Sequence, residues 1–297
     1  MSNNKNYIEL SPMLYNLGIE RKYKKDVLRL THNLIKDTKK AIQKIMKSDM
    51  FSEDETPYTV ESELKRIKKQ YLKNVNTIGK MYAIKMIREQ LRYATFTLRK
   101  AILEDKELKK ILEETEEDDD ILYGYSRVYN LQKGSTTPHI ETMEKPFQSL
   151  KGKLKDIVRS VFIQNMTYLD DIGRKFLNDV TASVMRNSTT GSKNDLNDDF
   201  RRISEQTDRR ARLIAEDQSR KAFTAISIEN MKQKGIRYWK WVYTYRAKEP
   251  REYHKDVLNG EIFSFDEEPP IIDPKTGQRG YPADLPYCHC VMKPIIK

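Results

Sequence analysis

The spacing of apolar residues changes period at Gly235, and this change restricts the possible folds more than any other feature of the chain. Before it, apolar side chains recur every three or four positions over long stretches, which puts them on one face of a helix. After it, Trp239, Trp241, Tyr243 and Tyr245 alternate with Lys240, Val242, Thr244 and Arg246, the two-residue period of a strand. A chain with this order is expected to be α+β: long helices forming an elongated N-terminal part, closed by a small β-containing C-terminal module.

The helical stretches can be placed one by one. From about Arg21 to Lys47, Tyr23, Val27, Leu30, Leu34, Ala41 and Ile45 form a stripe, with Thr38 at the missing step. A Ser/Asp/Glu/Thr/Pro cluster from Ser48 to Pro57 ends it, and Leu64, Ile67, Tyr71, Val75, Ile78 and Tyr82 resume the pattern. Ile84, Ile87, Leu91 and Phe96 broaden this second stripe towards Leu112, and Gly79 is the place for a kink, since glycine weakens a helix interior by about 1 kcal/mol relative to alanine. Phe147 to about Met185 reads as a third helix, Arg186 to Lys193 as a loop, and about Asp198 to Lys234 as a fourth helix closed by Gly235. The expected organisation is a helical N-terminal region over 1–120, a connector over 121–146, a long-helix region over 147–235 and the β-containing module over 236–297.

Charge is distributed unevenly. Residues 1–112 carry 25 Lys/Arg against 14 Asp/Glu, residues 113–120 hold seven acids and no base, and residues 237–297 are nearly balanced at ten bases against nine acids. Any general affinity for nucleic acid therefore belongs to the helices, whose Lys/Arg also read as solvated helix faces. No apolar run approaches the roughly 18 residues of a membrane span, so no membrane partner is expected. The N-terminus lacks an apolar signal region, which points to synthesis and use in a cytoplasm.

The residues with distinctive chemistry lie at the C-terminal end. Arg251-x-x-His254 follows the aromatic strand, Asn259-Gly260 signals a turn into Glu261–Phe265 as a second strand, and Cys288-His289-Cys290 follows a Pro/Gly-rich loop. On a strand, Cys288 and Cys290 would share one face and His289 the other. The aromatic face reads either as core or as a surface for stacking bases. His254, Cys288 and Cys290 are candidate metal ligands, with zinc the candidate ion and His289 a further donor. The same residues also read as buried structural thiols or as a Cys/His nucleophilic pair. A disulfide between cysteines one residue apart would be strained. Asp217 and Gln218 fall among apolar positions of the fourth helix, so they are either exposed or bonded to something in the C-terminal module.

The run Arg212–Gln218 on a helix, the strand with Trp241, Arg251-x-x-His254, Gly260, the Pro/Gly loop and the terminal Cys288-x-Cys290 together resemble the tailed-phage head morphogenesis family of minor head proteins related to Mu F. The likeness spans about residues 205–297. Between the cysteines the family usually has Arg where this chain has His289, and the step from His254 to Gly260 is one residue longer here. The resemblance implies a structural and morphogenetic virion component, located inside the head near the portal and in the host cytoplasm during assembly. The implied partners are the portal protein and the major capsid protein, with DNA as a further candidate, and DNA ejection is an associated process. It implies no catalytic residue and no obligatory cofactor. Asp217, Gln218, Trp241, Arg251, His254, Gly260, Cys288 and Cys290 are then the structural motif, in which Arg251, His254, Cys288 and Cys290 hold the C-terminal module together, with or without metal. Two other functions fit the residues: a nucleic-acid-binding protein acting through basic helices, and a metal-dependent or Cys/His hydrolase.

Overall fold

Long helices dominate because the apolar stripes are long and few breakers interrupt them. A computed structural model describes residues 7–47, 56–103, 152–190, 193–246 and 250–297. The acidic run 113–120 and the connector 121–146 lie outside the described residues. The elements are β1 (Ile8–Glu9), α1 (Leu17–Lys47), α2 (Thr56–Asn74), a π-helical turn (Val75–Gly79), α3 (Lys80–Leu103), α4 (Gly152–Thr190), α5 (Lys193–Gln233), β2 (Tyr238–Val242), a second π-helical turn (Tyr253–Leu258), β3 (Ile262–Ser264), β4 (Ile271–Asp273), β5 (Gln278–Arg279) and β6 (Val291–Ile296). The fold is α+β. Among the described residues, no helix is long and apolar enough to cross a membrane.

The chain divides into two units, one of Glu20–Lys85 and Phe162–Glu216, the other of Met1–Ile19, Met86–Val161 and Asp217–Lys297. The first unit is helical. Its α1 buries Tyr23, Val27, Leu30, Leu34, Thr38 and Ile42, so the stripe continues through Thr38 to Ile42, and Ala41 is only half-buried. Tyr23 donates to Asn165 Oδ1 at 2.7 Å, and Tyr71 donates to the Leu169 carbonyl at 2.5 Å. Gly173 lies beneath the Tyr71 ring, where a Cβ would come within 2.0 Å of it. The break expected near Gly79 is the π-helical turn Val75–Gly79. Its extra residue rotates the helix face, so Ile78 is 40% exposed while Val75 and Tyr82 are buried. A Cβ on Gly79 would press on Leu169 at 3.2 Å.

Two helix ends differ from the expected positions. α4 continues to Thr190, so Arg186–Thr190 is helical, and α5 begins at Lys193, earlier than Asp198. Asp199 accounts for this. Its carboxylate accepts hydrogen bonds from Ser183 at 2.7 Å, Arg202 at 2.6 Å and Arg186 at 3.3 Å, and these hold its pKa at about 2. Partnered polar side chains thus stabilise a last turn whose composition alone reads as loop.

The second unit contains the sheet, ordered β1-β6-β2-β3 and antiparallel throughout. α5 ends in a Schellman cap: Gly235 has φ +76, its N–H donates to Lys232 O, and the Ile236 N–H donates to Met231 O. β2 then runs up the middle, with Trp239 paired to Pro294 and Phe263, and Trp241 to Met292. Trp239 and Trp241 are fully buried and Tyr243 is nearly so, which makes this aromatic face core. The alternation stops at Val242: Tyr245 has φ +53 and is 71% exposed. The N-terminal segment, which reads as a loose start in sequence, supplies the edge strand. Ile8 and Glu9 pair with Ile296 and Ile295, and the Leu10 and Met13 amides continue the contact to Pro294 O and Met292 O. Glu9 forms ion pairs with Lys240 and with Lys293, the latter at 2.6 Å.

Candidate metal centre

Three separate pieces of chain bring His254, Cys288 and Cys290 together. His254 sits on the π-helical turn after β2. The cysteines sit in the loop that enters β6 at Val291, so they precede the strand, not within it as the alternation suggests. Their donor atoms all lie within 4.8 Å of one another, and all three residues are buried at 2–4% exposure. Each sulfur is 3.7 Å from His254 Nδ1.

The imidazole is oriented from behind. His254 Nε2 is 2.9 Å from the Ile272 carbonyl, which can only accept, so Nε2 carries the proton and Nδ1 presents its lone pair to the sulfurs. Trp241 packs edge-on against the ring, with centroids 5.1 Å apart. The backbone of the cysteine loop is also tied. Tyr15 donates to Cys290 O at 2.7 Å, Thr244 to His289 O at 2.8 Å, and the Cys288 amide to Leu285 O at 3.1 Å.

The thiols titrate as a pair. A hydrogen bond from Cys290, helped by His254 and the Ala283 amide, holds Cys288 well below the ordinary thiol range, and that same bond together with burial pushes Cys290 up. The Ala283 amide reaches the sulfur from a backbone at φ +73, a left-handed conformation rare outside glycine. The buried Trp241 Nε1–H faces Cys290 and favours its thiolate. Two carboxylates border this group. Asp217 and Asp284 are both pushed up, mainly by burial, and both feel the charge of Cys288. Asp217 is ion-paired to Lys221 at 2.9 Å, and Asp284 Oδ2 accepts the Tyr281 amide at 2.7 Å.

The other motif residues fall around this cluster. Gln218 is buried on α5 beside Asp217. Arg251 donates to Pro286 O at 2.7 Å, which anchors the start of the cysteine loop. Gly260 has φ +92 and returns its amide to Trp241 O at 2.8 Å, a conformation that suits glycine. His289 is not part of the metal-ligand group, because its Nε2 accepts from Arg220 Nη1 at 3.1 Å. The contributions of Tyr15 and Ala283 carried no sequence signal, since one comes from the far end of the chain and the other depends on a backbone angle.

Residues 175–293 match the family model described as phage Mu protein F like protein. This segment, about two fifths of the chain, is similar to the Mu F-like proteins. The match begins within α4, well before the Arg212–Gln218 run, and includes His254, Cys288 and Cys290. No curated protein and no solved structure matches it.

Proposed function

We propose that this Mu F-like chain is a minor head protein of a tailed bacteriophage, a non-catalytic virion component placed inside the head near the portal. The observation that carries the reading is the family match over 175–293, which takes in all of α5, β2 and β3 and the first half of β6. The burial of His254, Cys288 and Cys290 agrees with it, because a nucleophile or a base needs a route to substrate. In this role the protein binds portal and major capsid protein during prohead assembly, and it is positioned to meet DNA as it is packaged or ejected. The basic helices offer the DNA contact, through phosphates and without base recognition.

The test is incorporation into proheads assembled with and without portal. Co-purification with portal-containing proheads and loss from portal-free ones is expected. Equal incorporation into both would remove the portal as partner, and absence from both would remove the virion role.

A further inference from the structure

We propose that His254, Cys288 and Cys290 bind a zinc ion that clasps the second unit of this chain. The inference stands on the geometry of the three side chains and is independent of the head-protein reading.

The donor set has the right shape. With Zn–S of about 2.3 Å and Zn–N of about 2.0 Å at a tetrahedral angle, a sulfur and a nitrogen on one ion lie about 3.6 Å apart. The two sulfur-to-Nδ1 distances are both 3.7 Å. A thiol donating to imidazole could produce one such contact, but two equal ones around a single lone pair describe a shared centre. Two thiolates and one neutral imidazole form a soft donor set that selects zinc over magnesium or calcium.

The surroundings support metal as well. The Ile272 carbonyl fixes His254 in the tautomer that leaves Nδ1 free to ligate, the usual outer partner of a metal-bound histidine. Without an ion, two buried thiolates would repel each other, so one proton stays on the pair. Zinc replaces it: the ion forms two Zn–S bonds and one Zn–N bond, and the one remaining thiol proton leaves to solvent. The fourth position goes to an oxygen, from water or from a bordering carboxylate. The ion would join the turn after β2 to the loop before β6.

The test uses the full chain, purified reduced. About one zinc per chain is expected by elemental analysis. Titration of stripped protein with cobalt should give thiolate-to-cobalt charge-transfer and tetrahedral d–d bands, lost in His254→Gln and in Cys288→Ser. Alkylation of the wild-type chain gives a readout independent of how these variants fold. Its two cysteines should resist the reagent with zinc present and both react once a chelator is added, as counted by mass spectrometry. A reduced protein that keeps its circular dichroism, takes up no cobalt, and shows the same alkylation with and without zinc would overturn the proposal. Cobalt bands that persist in a folded Cys288→Ser/Cys290→Ser chain would overturn it too.

Discussion

Tyr15 donates a 2.7 Å hydrogen bond to the carbonyl of Cys290, joining residues 275 positions apart. The phenol is buried, its pKa is raised by that burial, and its ring meets Phe223 edge-on at 5.4 Å. The N-terminal segment is therefore a working part of the C-terminal module, holding the cysteine loop as well as the sheet edge. Tyr15→Phe keeps the ring and removes the donor, and should cost about 1–2 kcal/mol by leaving a buried carbonyl short of a partner. A urea titration gives the cost. Hydrogen exchange should quicken at the Leu10 and Met13 amides, which bond to Pro294 and Met292. If exchange there is unchanged, the phenol does not anchor the segment.

Glu9 should make this module sensitive to acid. Its carboxylate accepts from Lys240 and Lys293, and these bonds lower its pKa from the ordinary 4.5 to about 2. A carboxylate with a depressed folded-state pKa adds stability that is fully present above its unfolded pKa and is lost as pH falls through the folded value. Stability should therefore decline between roughly pH 5 and pH 2. Glu9→Gln should lower stability at neutral pH by about 1–3 kcal/mol and flatten this part of the decline. Thermal melts of both chains across that range check it, and parallel curves would show that other carboxylates dominate.

The period change at Gly235 was legible because it is local: a Schellman cap and an alternating strand each need only a few neighbouring residues. The buried role of Trp239 and Trp241 followed from that alternation, and Tyr245 departed from it where the backbone turns to φ +53. β1 was not legible. Two residues have too little pattern to read as a strand, and their partners, Ile295 and Ile296, lie at the other end of the chain. Likewise the sequence offers His254, Cys288 and Cys290 as donor types, but their convergence depends on loop paths set by Arg251, Gly260 and Ala283. The sheet had to be built before those distances existed.

Gly173 has no sequence signal either, yet the helical unit depends on it. A Cβ there would lie 2.0 Å from the Tyr71 ring, and the ring cannot simply withdraw because its hydroxyl is held by Leu169 O at 2.5 Å. Gly173→Ala should destabilise by about 3 kcal/mol, towards the upper end of overpacking costs. Helix propensity favours alanine by about 1 kcal/mol and would predict the opposite sign, so the direction alone decides which effect wins. Tyr71→Leu in the same chain should recover part of the loss, since contacting sites couple.

His289 separates two effects that its neighbouring cysteines obscure. Its Nε2 accepts a hydrogen bond from Arg220 Nη1 at 3.1 Å, while its carbonyl accepts from Thr244 at 2.8 Å. Only the first involves the side chain. The family usually carries Arg between the cysteines, so His289→Arg is the substitution that likeness invites. In this chain it should be unfavourable: guanidinium has no acceptor, and it would set a second cation against Arg220, which is itself 5% exposed. A loss of about 1 kcal/mol is expected from the lost hydrogen bond. His289→Gln, which keeps an acceptor, should lose less. Melting temperatures of the two variants at equal ionic strength check the order. Tolerance of His289→Arg with Gln the worse of the two would mean that a carboxylate or carbonyl near Arg220 governs this corner, and that the imidazole merely fills it.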